Sequence, residues 1–171
     1  AVNAYGIATG VPRIRAMTRS DMDATTAAFV DAARIASDAG FDAVEVHLGH
    51  GYLLSQFLSP VFNRRKDDYG EDREGRARFP LEVVRAIRAE APELAVVIKL
   101  NLDDGVVGGW SVDDATWLAT ELQSSGADAL IPSGGLVQRS AFYLMRGDVP
   151  LSEMAAAEDS WMTRTAMRVL G

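Results

Sequence analysis

Apolar and polar positions change their period repeatedly along the chain, and each change marks a new element. The run "DMDATTAAFVDAARIASDAG" is alanine-rich and ends at Gly40. Ser20, with Asp23 three residues on, supplies a capping pair at its start, so a helix is expected there. "FDAVEVH", residues 41–47, sets Phe41, Val44 and Val46 among polar positions and reads as a strand. A charged loop follows, "NRRKDDYGEDREGR". A second helix is expected over "ARFPLEVVRAIRAEA", 77–91, broken before Pro92. Pro80 lacks a backbone donor, which places it in the first turn or at a kink. "LAVVIKL", 94–100, is a continuous apolar run of the kind found in buried parallel strands. After the glycine-rich loop "DDGVVGGW", the segment "SVDDATWLATELQSSGA" is a helix with Ser111 as cap and Asp114 at the third position. "DALIPS", 128–133, is a third strand, and "SEMAAAEDSWMTRTAMRVL", 152–170, a final helix.

Strands alternating with helices indicate βαβ units and a parallel sheet. Ala39-Gly40 and Gly126-Ala127 each stand between a helix and the next strand, as αβ loops require. Three strands fall short of the eight of a (βα)8 barrel, which takes about 250 residues. The 171-residue chain is therefore an open α/β domain or part of a barrel, in one domain.

Composition narrows the classes. With 48% hydrophobic and 24% charged residues the chain can bury a core. It has no apolar run of about 18 residues to cross a membrane. "AVNAYGIATGVPRIR" does not read as a secretory signal. The absence of cysteine removes disulfides, thiolate metal sites and thiol nucleophiles, and fits a cytoplasmic location. A net charge of −7 argues against nucleic acid and anionic membrane surfaces as partners.

Candidate chemistry gathers at the strand ends, where parallel α/β folds bind ligands. "VEVHLGHGYLL", 44–54, holds both histidines of the chain, His47 and His50, with Gly49 and Gly51 around the second and Tyr52 next. Lys99 stands in the second apolar strand, and Ser133-Gly134-Gly135 follows the third. His47 reads either as a half-buried histidine bonded to backbone or as one of two imidazoles aimed at a ligand. As a pair, His47 and His50 suit a polarised carbonyl better than a metal, whose third ligand would be Glu45. Tyr52 is a structural aromatic or a neutral proton donor. Lys99 needs an anionic or electron-rich partner, either a ligand or a carboxylate such as Asp103 or Asp104. "GGW" and "SGG" are weak phosphate-cradle signals, and Arg64–Arg78 reads as solvated surface.

Three stretches closely resemble the old yellow enzyme family, the FMN-dependent NAD(P)H:flavin oxidoreductases and 2,4-dienoyl-CoA reductases. They are "AGFDAVEVHLGHGYLLSQFLSPVFNRRKDDYGEDREGRARFPLEVVRAIR", "VVIKLNLDDGVVGGW" and "GADALIPSGG". The resemblance implies an FMN-binding TIM barrel, of which this chain supplies about strands 4 to 6. It implies that His47 and His50 bind the carbonyl oxygen of an α,β-unsaturated substrate. Tyr52 then matches the residue that protonates the alkene, and Lys99 the cation at the flavin's pyrimidine edge, where arginine is usual. "YGEDREGR" departs from the family's Tyr-Gly-Gly-Ser-x-Glu-Asn-Arg by one glycine and an asparagine. The implied function is NAD(P)H-driven reduction of an activated C=C bond. The alternative is a truncated barrel that does not hold FMN by itself and self-associates through open edges. A metal-dependent hydrolase is a third reading.

Overall fold

The computed structural model describes residues 15–139 together with Tyr143, Ala156, Ala157 and Trp161. Among the described residues the elements run in the order α1 (Arg19–Asp38), β1 (Ala43–Leu48), α2 (Leu53–Leu58), α3 (Arg73–Glu90), β2 (Ala95–Asp103), α4 (Val112–Ser124) and β3 (Ala129–Gly134). The strands form one sheet in the order β1-β2-β3, all parallel. This is the expected α/β architecture. The expected helix at 152–170 lies almost wholly outside the described residues.

The period-2 alternation of each strand divides the sheet into two unlike faces. One face carries Val46, Leu48, Val96, Ile98 and Leu100, all buried. It packs against Phe79, Val83 and Ile87 of α3 and Leu118 and Leu122 of α4 in a single core that also takes in Met22 and Ala33 of α1. Burying each such side chain contributes about 1.5–3 kcal/mol, so this face sets the register. The other face carries Glu45, His47, Lys99 and Asn101. Register places His47 beside Lys99, and Asn101 beside Ser133. Fixing the apolar set toward the helices turns this polar set to the other side.

Two helix starts differ from expectation. Thr18, not Ser20, caps α1: its side chain accepts from the Asp21 amide while Asp21 accepts from the Thr18 amide. Arg15 also pairs with Asp21, which favours the earlier cap. The α3 helix begins at Arg73, capped by Asp72, so Pro80 lies well inside it and is buried. The residue four positions earlier, Arg76, loses its helical acceptor role there. The α4 capping box of Ser111 and Asp114 forms as expected.

The charged run 64–78 is not simply solvated. Arg65 donates to the Met17 carbonyl at 2.8 Å, Arg76 to Leu58 O at 3.0 Å and Arg78 to Asp68 O at 2.8 Å. Tyr69 and Gly75 within the run are buried. Guanidinium groups here tie loop backbone to the helices, using side chains whose charge alone suggests surface. At the opposite end of the sheet, Arg88 donates to Gly126 O and Leu94 O and pairs with Asp128, joining the loops that lead into β2 and β3.

Candidate functional site

The carboxyl ends of the strands carry the site. His47 lies in β1, one residue before its end, and the chain then turns sharply through Gly49, His50 and Gly51. His50 adopts φ 61°, a left-handed conformation uncommon for a residue with a side chain. A Cβ on Gly49 would stand 2.7 Å from Asn101 Oδ1, so the close approach to β2 requires glycine there. Tyr52 then caps α2, and Ser55 Oγ accepts from the Gly51 amide at 2.9 Å.

The turn brings three rings together. His47 and His50 have ring centroids 4.9 Å apart at 62°, and His47 and Tyr52 are 5.2 Å apart at 49°. Both histidines are half-buried, whereas Tyr52 is 54% exposed, leaving its phenol open to solvent. The imidazole Nδ1 of His47 is buried and has no hydrogen-bond partner within the protein. A buried polar atom left unpaired costs about 1–3 kcal/mol, so this nitrogen is free to take a hydrogen-bond partner. The backbone-bonded reading of His47 therefore finds no support at that nitrogen.

Burial lowers the pKa of both histidines below the ordinary 6.5; the charges of His50 and Lys99 add to the effect at His47, and that of Lys99 at His50, while Glu45 opposes it. Both imidazoles are neutral at pH 7, and each then offers one N–H donor and one acceptor.

Lys99 is the single cation among the residues of the three strands. Its Nζ pairs with Glu45 Oε1 at 2.8 Å, with both side chains about a third exposed. The expected partners, Asp103 and Asp104, are replaced by a carboxylate on the neighbouring strand, because same-face neighbours in a parallel sheet approach more closely than a residue four positions along the same strand. That pairing also removes Glu45 from a metal site with the two histidines. Among the described residues no three histidine, aspartate or glutamate side chains converge as ligands.

Asn101 had not been singled out, and Asp104 had been named only as a possible partner of Lys99. Asn101 is buried, accepts from the His50 amide at 3.1 Å and donates to Gly135 O at 2.8 Å. Asp104 is also buried and accepts from Asn101 Nδ2 at 3.1 Å, Ser59 Oγ at 2.6 Å and the Trp110 amide at 2.9 Å. "GGW" thus closes onto Asp104. The extension of the Lys99 alternation through Asn101 was the sequence signal for the first; nothing local signals the second. Ser133, flagged at the third strand end, does meet the site: its Oγ lies 2.6 Å from His50 Nε2.

The parallel α/β sheet carries His47 and Lys99 on its polar face, with His50 and Tyr52 in the turn that follows β1. The chain belongs to the NADH:flavin oxidoreductase / NADH oxidase family, whose sequence model matches residues 2–138. It is 42% identical over 147 residues to a 4,4'-dithiodibutanoate disulfide reductase of Rhodococcus erythropolis, covering 85% of this chain and 36% of the relative. It is 36% identical over 148 residues to an NADPH dehydrogenase of Geobacillus thermodenitrificans, covering 86% and 43%. Among solved structures, morphinone reductase matches with a TM-score of 0.60 at 38% identity, over 69% of this chain and 32% of that one. Old Yellow Enzyme from Pichia sp. AKU4542 matches with a TM-score of 0.59 at 33% identity, over 68% and 32%. The chain thus spans well under half the length of these relatives.

The family uses FMN with NAD(P)H as reductant. The polar face offers one cation, Lys99, and the unpartnered His47 Nδ1, groups of the kind that a flavin ring edge can bond to. No helix among the described residues is long and apolar enough to cross a membrane.

Proposed function

We propose that this chain is the middle portion of an FMN-dependent NAD(P)H oxidoreductase of the ene-reductase type, acting on an α,β-unsaturated carbonyl compound. The observation that carries this reading is the pair of neutral imidazoles 4.9 Å apart, one with an orphan buried nitrogen, beside an exposed tyrosine. His47 and His50 donate two N–H groups to one carbonyl oxygen, drawing electron density from the conjugated C=C bond and leaving its β carbon electron-poor. FMN, when bound and reduced by NAD(P)H, would supply the hydride for the β carbon. Tyr52 gives its phenolic proton to the α carbon, and the two additions together saturate the double bond. Lys99 would hold the ring edge of the cofactor, its ammonium offsetting negative charge there. Glu45 holds that ammonium in place.

A second reading, a truncated barrel that does not hold FMN alone, is supported by the sheet itself. Among the described residues β1 and β3 each pair on one side only, and Leu130 and Ile131 of β3 are 41% and 40% exposed. Open edges and apolar surface favour self-association.

The protein is incubated with FMN, desalted and assayed with NADPH and cyclohex-2-enone without oxygen. The ene-reductase reading predicts retained flavin and NADPH oxidation that depends on the enone. In Tyr52→Phe, turnover should fall about 10²–10⁴-fold, the usual contribution of a positioned proton donor. Flavin-loaded protein that ignores the enone, or Tyr52→Phe at full rate, overturns it. A protein that emerges free of flavin selects the truncated-barrel reading.

A further inference from the structure

His50 is held at three of its atoms. Its amide donates to Asn101 Oδ1 at 3.1 Å, its carbonyl accepts from the Val137 amide at 3.1 Å, and its ring Nε2 lies 2.6 Å from Ser133 Oγ. Asn101 and Ser133 are register partners on β2 and β3, so two adjacent strand ends hold one histidine by backbone and by ring. This hold maintains the left-handed backbone, φ 61°, at a position where glycine would cost nothing. A neutral imidazole carries its proton on one nitrogen only, and the partner of one nitrogen decides which.

We infer that Ser133 is a positioning residue that donates its hydroxyl proton to His50 Nε2 and so fixes the imidazole proton on Nδ1, with Asn101 holding the backbone in place. This inference rests on the reading of His50 as a carbonyl-binding donor: with Nε2 occupied by Ser133, Nδ1 is the nitrogen left to bind an oxygen. A serine hydroxyl can serve as donor or acceptor, and only the donor arrangement leaves His50 an N–H for the substrate. Asn101 is itself oriented. Its Nδ2 is taken by Gly135 O and Asp104 Oδ1, so Oδ1 is the atom that faces the His50 amide.

Long-range ¹H–¹⁵N spectra of the full chain, labelled at histidine and recorded above pH 7, read the tautomer without any flavin or turnover. The expected result is a His50 ring protonated at Nδ1 in the wild type. Ser133→Ala should lose that single form and populate the Nε2–H tautomer, Ser133→Thr should restore it, and the His47 signals should remain where they were. A wild-type His50 protonated at Nε2 overturns the inference whatever the variants do, as does a Ser133→Ala spectrum identical to wild type. Failure of the ene-reductase reading would appear instead as absent enone turnover with the Nδ1–H tautomer intact.

Discussion

Asp104→Asn tests how the site is held from behind. Asp104 is 1% exposed and gathers donors from three places: Ser59 after α2, Asn101 in β2 and the Trp110 amide in the following loop. Asparagine keeps the shape of the side chain but replaces one acceptor oxygen with an amide group that donates. At least one of these hydrogen bonds then becomes a donor facing a donor, whichever way the amide turns. Hydrogen bonds to a charged partner contribute about 1.5–3 kcal/mol, and an orphaned buried donor costs about 1–3 kcal/mol. The expected loss is about 2–3 kcal/mol, a large part of the 5–15 kcal/mol that typically separates folded from unfolded domains. Alanine would orphan all three donors and is expected to prevent stable folding. Urea unfolding followed by tryptophan fluorescence reads the effect, since Trp110 is 2% exposed and bonded to Asp104 through its own amide and carbonyl. Ser59→Ala alone should cost about 1 kcal/mol and should be less than additive with Asp104→Asn, because both remove the same bond. An Asp104→Asn midpoint equal to wild type would refute the reasoning.

Acid should weaken the fold in two separable stages. The folded pKa of His47 and of His50 lies below 6.5, so the unfolded chain binds protons first as pH falls, and stability declines from 6.5 down to the folded values. The Asp21 carboxyl, held far below the usual 3.8 by Arg15 and Thr18, loses its contribution only further down. A His47→Gln, His50→Gln double variant should flatten the urea midpoint just below pH 6.5; an unchanged slope there contradicts this. Lys99→Met should weaken FMN binding about 5-fold, the scale of a partly exposed charge interaction, and Glu45→Gln, which no longer holds the ammonium, should weaken it by less, as read by flavin fluorescence; equal affinities in all three proteins would count against the Lys99 role. The purified chain should self-associate through its open sheet edges, and sedimentation showing a monomer at all concentrations would contradict that expectation.

The parallel sheet was legible because the apolar runs of β2 and β3 differ in kind from the alanine-rich helices, and two glycine-bearing loops separate helix from strand. Its boundaries were less so. Thr18-Arg-Ser-Asp21 and Ser20-Asp-Met-Asp23 offer the same capping pattern two residues apart, and the choice between them involves Arg15, outside the pattern. The gathering of His47, His50 and Tyr52 was readable because six consecutive residues hold all three. The partner of Lys99 was not: Glu45 reaches it only because register sets His47 beside Lys99, and register depends on how both apolar faces pack. The roles of Asn101 and Asp104 were hidden for the same reason. Each is a polar residue at the end of an apolar strand, indistinguishable from loop until Ser59, Trp110 and His50 are folded against them.

The central claim is that His47 and His50 jointly bind a carbonyl oxygen. Titrating the labelled chain with cyclohex-2-enone, and separately with cyclohexene, while following the ring nitrogens of both histidines tests it most directly. The account predicts that the ketone shifts His47 and His50 together, with one apparent affinity, and that the hydrocarbon of the same ring size shifts neither. Ring signals that ignore the enone at saturation, or respond equally to cyclohexene, would contradict it.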